Sequence, residues 1–144
     1  MTKVLLVATK AGAVLASVVA LLVQAAFAET FQIRVLNAKN GDRVPYQLVS
    51  VLVKGTKAAS EYKTDAEGNI NVDLHPTAEV FVATEWWVTC RKTGGGIDPF
   101  ISVRRILEEG ITVENTFGRA RSETIRGKLI IFARKGSPLE HFRK

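Results

Sequence analysis

Cys90, His75 and His141 are the side chains that nucleophilic or metal chemistry would draw on first. They are scarce, because the 144-residue chain holds one cysteine and two histidines. A protein metal site needs three or four converging ligands. Two histidines, one beside Pro76 and one near residue 144, do not supply that set and read as turn or surface residues. No Ser/His/Asp order carries a local motif, and no glycine-rich loop leads from a strand into a helix to cradle phosphate. Gly94, Gly95 and Gly96 make a flexible loop, since three glycines maximise backbone freedom. The sequence therefore offers no catalytic, metal or cofactor-binding residue, and no cofactor is expected. Cys90 cannot close an internal disulfide by itself. It is either a small buried hydrophobe or one half of an intermolecular disulfide.

Binding chemistry has better candidates. Adjacent strand residues point to opposite faces. If 80–90 is one strand, Val80, Val82, Thr84, Trp86, Val88 and Cys90 share one face. Phe81, Ala83, Glu85, Trp87 and Thr89 share the other. The more apolar face takes Trp86 and Cys90 into the core. Trp87, beside Glu85, is then the candidate ligand aromatic, because an exposed Trp near an acid can stack on a sugar or pack on a protein. The competing reading buries Trp87 under the connection 91–109. A second candidate is the uninterrupted apolar run 129–133. Leu129, Ile131 and Ala133 fall on one face, Ile130 and Phe132 on the other, and only one face can meet a sandwich core. Ile130 and Phe132 need cover from 100–109, from the tail around Leu139 and Phe142, or from a partner. Ile130, Phe132, Leu139 and Phe142 are accordingly the candidate partner surface. Lys128, Arg134 and Lys135 flank the run as gatekeepers against aggregation.

The elements that would position these residues have period two. Phe31, Ile33 and Val35 alternate with Gln32 and Arg34; Ile70, Val72 and Leu74 alternate with Asn71 and Asp73; Ile111 and Val113 alternate with Thr112 and Glu114. Each pattern is that of a half-buried strand. The runs 48–53 and 129–133 are apolar on both faces, as expected of strands covered on both. Asn40-Gly41-Asp42 marks a tight turn, and Pro45 belongs at a strand start or an edge. The sequence 65–69 is a hairpin turn between a short strand near 62–64 and the strand 70–74. Asp98, Pro99 and Gly110 read as N-cap, first helical position and stop of a short helix over 100–109. The sum is an all-β fold: a single immunoglobulin- or transthyretin-like, two-sheet antiparallel sandwich of about seven strands, with a short helix near 100–109.

The N-terminal segment is of another kind. Lys3 and Lys10 are the only charges before Glu29, and an apolar run of about 18 residues follows, ending in Ala26-Phe27-Ala28. This is the order of a secretory leader with cleavage after Ala28, so residues 1–28 are read as a signal peptide and 29–144 as one domain. A bilayer-spanning helix needs about 20 residues, so a retained membrane anchor is the alternative. Cleavage lowers the formal net charge from +6 by two. From Arg119 onward eight Lys and Arg stand against Glu123 and Glu140. No aromatic-basic motif accompanies them, so a solvated surface is expected rather than nucleic-acid binding.

The stretch 31–88 resembles a carboxypeptidase regulatory-like domain, part of the transthyretin-like β-sandwich group. The residues that carry the likeness are Asn40-Gly41-Asp42-Arg43-Val44-Pro45 with the strand 46–53, then Thr64-Asp65-Ala66-Glu67-Gly68-Asn69-Ile70-Asn71-Val72, then 80–84. The resemblance implies an exported module with a structural or binding role and no active site of its own. Hydrolases of the group carry a Tyr-Arg-Gly-Ser-type C-terminus with histidines, which His141-Phe142-Arg143-Lys144 does not match. Isopeptide-forming adhesin domains of the group need a lysine in the first strand, and 31–36 has none. The expected function is an exported, non-enzymatic binding or structural module that meets a protein or a cell-envelope component in the periplasm, at the cell surface or outside the cell. A carbohydrate-binding module using Trp87 with Tyr46 or Tyr62 is the alternative, and a small hydrolase ranks below both.

Overall fold

Inward-facing Phe31, Ile33 and Val35 on β1 (Glu29–Asn37) are buried almost completely, as their alternation with polar residues requires. In the computed structural model, which describes residues 27–85, 87–89 and 99–136, β1 lies near the centre of the first of two sheets. Its antiparallel neighbour is β4 (Asn69–Leu74) and its parallel neighbour is β9 (Lys128–Lys135). The other edge of β9 is shared by β8 (Ile111–Thr112), parallel to it, and β6 (Trp87–Thr89), antiparallel. The second sheet is antiparallel throughout, in the order β3 (Ser60–Lys63), β2 (Leu48–Val53), β5 (Glu79–Thr84) and β7 (Ile101–Ser102). The protein is thus an all-β two-sheet sandwich.

The core fills the space between the sheets. Phe31, Ile33, Val35, Leu129 and Ile131 of the first sheet meet Val49, Val51, Val80 and Val82 of the second. Helix α1 (Val103–Glu108) adds Val103 and Ile106, both fully buried, to the same core. It begins later than the Asp98-Pro99 pair implies. Ile101 and Ser102 pair with Val80 and Glu79 on the free edge of β5, so the chain turns helical only after Ser102, whose hydroxyl accepts from the Arg105 amide at 3.4 Å. The helix ends as expected, at Glu109 and at Gly110 with φ +77°.

Two other expectations are corrected. The run 80–90 is not one strand. A bend at Glu85 separates β5 in the second sheet from β6 in the first, so alternation counted across that bend does not assign faces. Trp87 pairs through its backbone with Lys135. Its side chain, Trp86 and Cys90 lie outside the described residues. The run 48–53 is also not covered on both faces, because Leu48 is 38% exposed while Val49 is fully buried. By contrast, the hairpin 65–69 is as expected. The Asp65 carboxylate accepts from the amides of Glu67 (2.8 Å) and Asn69 (2.9 Å). Gly68 sits at φ +73°, where a Cβ would lie 2.9 Å from the Val35 carbonyl oxygen, so both conformation and space demand glycine there.

Candidate functional site

The candidate surfaces are best built from the chain that follows α1. Gly110 packs so closely on the next loop that a Cβ would stand 2.1 Å from the Ile125 carbonyl oxygen. From there β8 joins β9, and the Val113 amide extends the pairing to the Ile130 carbonyl (2.9 Å). The chain then crosses the outer face of the first sheet. Asn115 fixes that crossing. Its Nδ2 donates to the carbonyls of Ala38 (2.8 Å) and Ala120 (2.9 Å), and its Oδ1 accepts from the amides of Phe117 (3.1 Å) and Gly118 (3.0 Å). Gly118 rests directly on β1's end, since a Cβ would be 2.1 Å from the Ala38 carbonyl oxygen. The Ala120 amide donates to the same carbonyl at 3.2 Å. The Arg134 guanidinium lies over the Phe117 ring, 4.8 Å from its centre.

This crossing answers what covers Ile130 and Phe132. They form a second apolar cluster with Leu36 and Ala38, and Val113 and Ala120 pack against it. Ile130 is fully buried and Phe132 is 2% exposed. The two are therefore core residues of an outer layer and present no partner surface, a correction to their reading as one. Among the described residues the cover comes from Val113 and Ala120 of this crossing and not from α1. Leu139, Phe142 and His141 lie outside the described residues, as does the segment 1–26.

The remaining candidates are dispersed. Tyr62 pairs with inward-facing Val49 and packs against the main core, so it is no ligand platform. Tyr46 is 61% exposed and holds a left-handed backbone, φ 56°. That turn is pinned by Thr64, which is almost fully buried. Its hydroxyl donates to the Val44 carbonyl (2.9 Å) and accepts from the Gln47 amide (2.8 Å). His75 belongs to the turn after β4, with Nδ1 2.7 Å from the Thr77 hydroxyl. Among the described residues no three His, Cys, Asp or Glu side chains stand close enough to hold a metal ion.

Two surfaces stand out. One is the outer face of the second sheet. Because Val49, Val51, Val80 and Val82 point inward, Leu48, Ser50 and Leu52 of β2 and Phe81 and Ala83 of β5 point outward. Ser50 lies opposite Ala83, and Leu52 opposite Phe81. Phe100 joins this face edge-on to Phe81, with ring centres 6.3 Å apart. Charges form the rim: Lys54 and Glu79 pair at 3.2 Å, and Glu61 and Lys63 stand on β3. The other is a cleft of about 800 Å³ beside the crossing chain, bounded by residues 112–115 and 118–122 with Phe132 at its floor. Neither was singled out from sequence. The turn residues Asn115 and Gly118 were the available signal for the crossing.

Comparison with known proteins finds no family model, no curated protein and no solved structure that matches the chain.

Proposed function

We propose that the chain is an exported, non-enzymatic binding module that meets a protein or cell-envelope component through the outer face of its second sheet. The supporting observation is the apolar row on that face. It opens with Leu48 at 38% exposure beside Tyr46 at 61%, continues through Leu52 and Ala83, and is bordered by charged side chains. An apolar centre with a charged rim is the composition of protein interfaces. The leader pattern in 1–28 and the likeness of 31–88 to carboxypeptidase regulatory-like domains support the same reading, with delivery to the periplasm, the cell surface or the medium. A retained leader would tether the module to the membrane.

A photoreactive amino acid at position 48, introduced into the full chain in cells, tests this. A discrete protein adduct is expected at position 48 and not at Thr30 on the opposite sheet. Mass analysis of the adduct should find Glu29 at the N-terminus. Equal labelling at both positions, or none at 48, would sink the interface. Adducts confined to glycan would favour a carbohydrate-binding role centred on Tyr46, and an intact N-terminal segment would favour the anchor.

A further inference from the structure

We propose that the cleft above Phe132 binds a small organic anion, with its oxyanion head held by Arg119 and Arg121 and its apolar body lying toward Val113 and Ala120. The cleft is about 800 Å³, within the size range of small-molecule sites. Its walls are fixed by the protein's own contacts. Asn115 ties the crossing chain to the end of β1 through the Ala38 carbonyl. Gly118 leaves no room for a Cβ against that carbonyl. The Thr124 and Thr112 hydroxyls meet at 3.0 Å at the cleft's other end. A wall already ordered before a ligand arrives spares the ligand that entropic cost.

The charge in the cleft selects the ligand class. Arg119 and Arg121 both line it, and among the described residues neither has a carboxylate partner. Three other exposed cations are paired, Arg43 with Glu67, Lys54 with Glu79 and Arg105 with Glu109. A guanidinium presents a planar fork of donors that matches carboxylate and phosphate oxygens. Glu114 lines the same cleft, so two positive charges face one negative. The surplus is a single positive charge, which attracts an anion. Val113 and Ala120, half-buried above Phe132, give the ligand's body apolar contact. This site lies on the first sheet, away from the face proposed for the protein partner, and stands independently of that reading.

Benzoate and hexanoate are suitable probes, with benzyl alcohol as the uncharged control and phenyl phosphate as the dianion. Titrated into the isotopically labelled full chain, benzoate should shift the amide resonances of 112–122 saturably. Benzyl alcohol should not. Joint Arg119→Gln and Arg121→Gln substitution should weaken benzoate binding about tenfold or more, the loss expected for charge-assisted hydrogen bonds, with an unchanged circular dichroism spectrum. Glu114→Gln, which removes the one negative charge of the lining, should tighten benzoate and phenyl phosphate alike. If the double variant unfolds, the wild-type protein decides: added salt should weaken benzoate binding at this exposed site. Diffuse or unsaturable shifts, equal binding of benzyl alcohol, full affinity in the folded double variant, or salt-independent binding would each overturn the assignment.

Discussion

The runs 48–53 and 129–133 are both apolar on both faces, yet they have opposite surroundings. In β9 the inner residues Leu129 and Ile131 and the outer residues Ile130 and Phe132 are all buried. In β2 the inner residues Val49 and Val51 are buried, while outward Leu48 is exposed and Ser50 and Leu52 are half-buried. The strands differ in what the topology brings over them. β9 is flanked by β1 on one edge and by β8 and β6 on the other, and the chain leaving β8 must pass over its outer face. β2 sits between β3 and β5, whose described connections run at the sheet's ends. The same kind of apolar strand thus makes a third layer in one sheet and a surface in the other. An apolar outer face with cover contributes to stability, whereas one without cover is available for binding.

Phe132→Ala should have the largest effect. It removes a ring buried in a closed cluster with Leu36, Ala38 and Ile130, a change that costs about 3–5 kcal/mol in typical cores. Urea unfolding followed by circular dichroism measures it. A loss below about 1 kcal/mol would mean that the cover relaxes into the space, and the contrast between the two sheets would shrink.

Asn115→Ala should come next. Four of its side-chain hydrogen bonds among the described residues go to backbone groups of the crossing chain or of β1's end, and alanine makes none of them. Water can replace some, so about 1–3 kcal/mol is expected. The distinguishing readout is local. Amide hydrogen exchange should accelerate in 113–120 well before it does in β2 or β5. Uniform acceleration across both sheets would show that the crossing is part of the global folding unit and not a separate layer.

The strands and the hairpin were legible because their physics is local. Period two in Phe31, Ile33 and Val35 needs only the pleat. The Asp65 and Gly68 turn needs only a side-chain acceptor and a positive φ. The division of 129–133 into two faces was equally legible, but the identity of the cover was not. It depends on Asn115 reaching Ala38, 77 positions earlier in the chain, and no periodicity encodes that distance. The break at Glu85 escaped for a related reason. The apolar pattern runs on through 80–90 while the chain changes sheets, because both sheets reward the same alternation. Thr64 was visible only as part of the hairpin motif. Its role in pinning the Val44–Gln47 turn emerges once β3 lies beside β2.

The smallest effect, and the sharpest test of the contrast, belongs to Leu48→Thr. Threonine keeps a strand-favouring, β-branched side chain and removes most of the apolar surface at the start of β2. Leu48 is already 38% exposed, so over a third of its surface is wet in the folded state and only part of a buried leucine's contribution is lost. Substitutions away from buried or hydrogen-bonded features usually stay within about 0.5 kcal/mol, and the urea midpoint should move by no more than that implies. Cover over this face would change the outcome, since the hydroxyl would then be carried into an apolar layer without a partner. A loss above about 1.5 kcal/mol would place β2 in the same class as β9 and remove the exposed face on which the binding proposal stands. An unchanged midpoint, together with loss of the protein adduct at this face, would mark Leu48 as a residue kept for contact and not for folding.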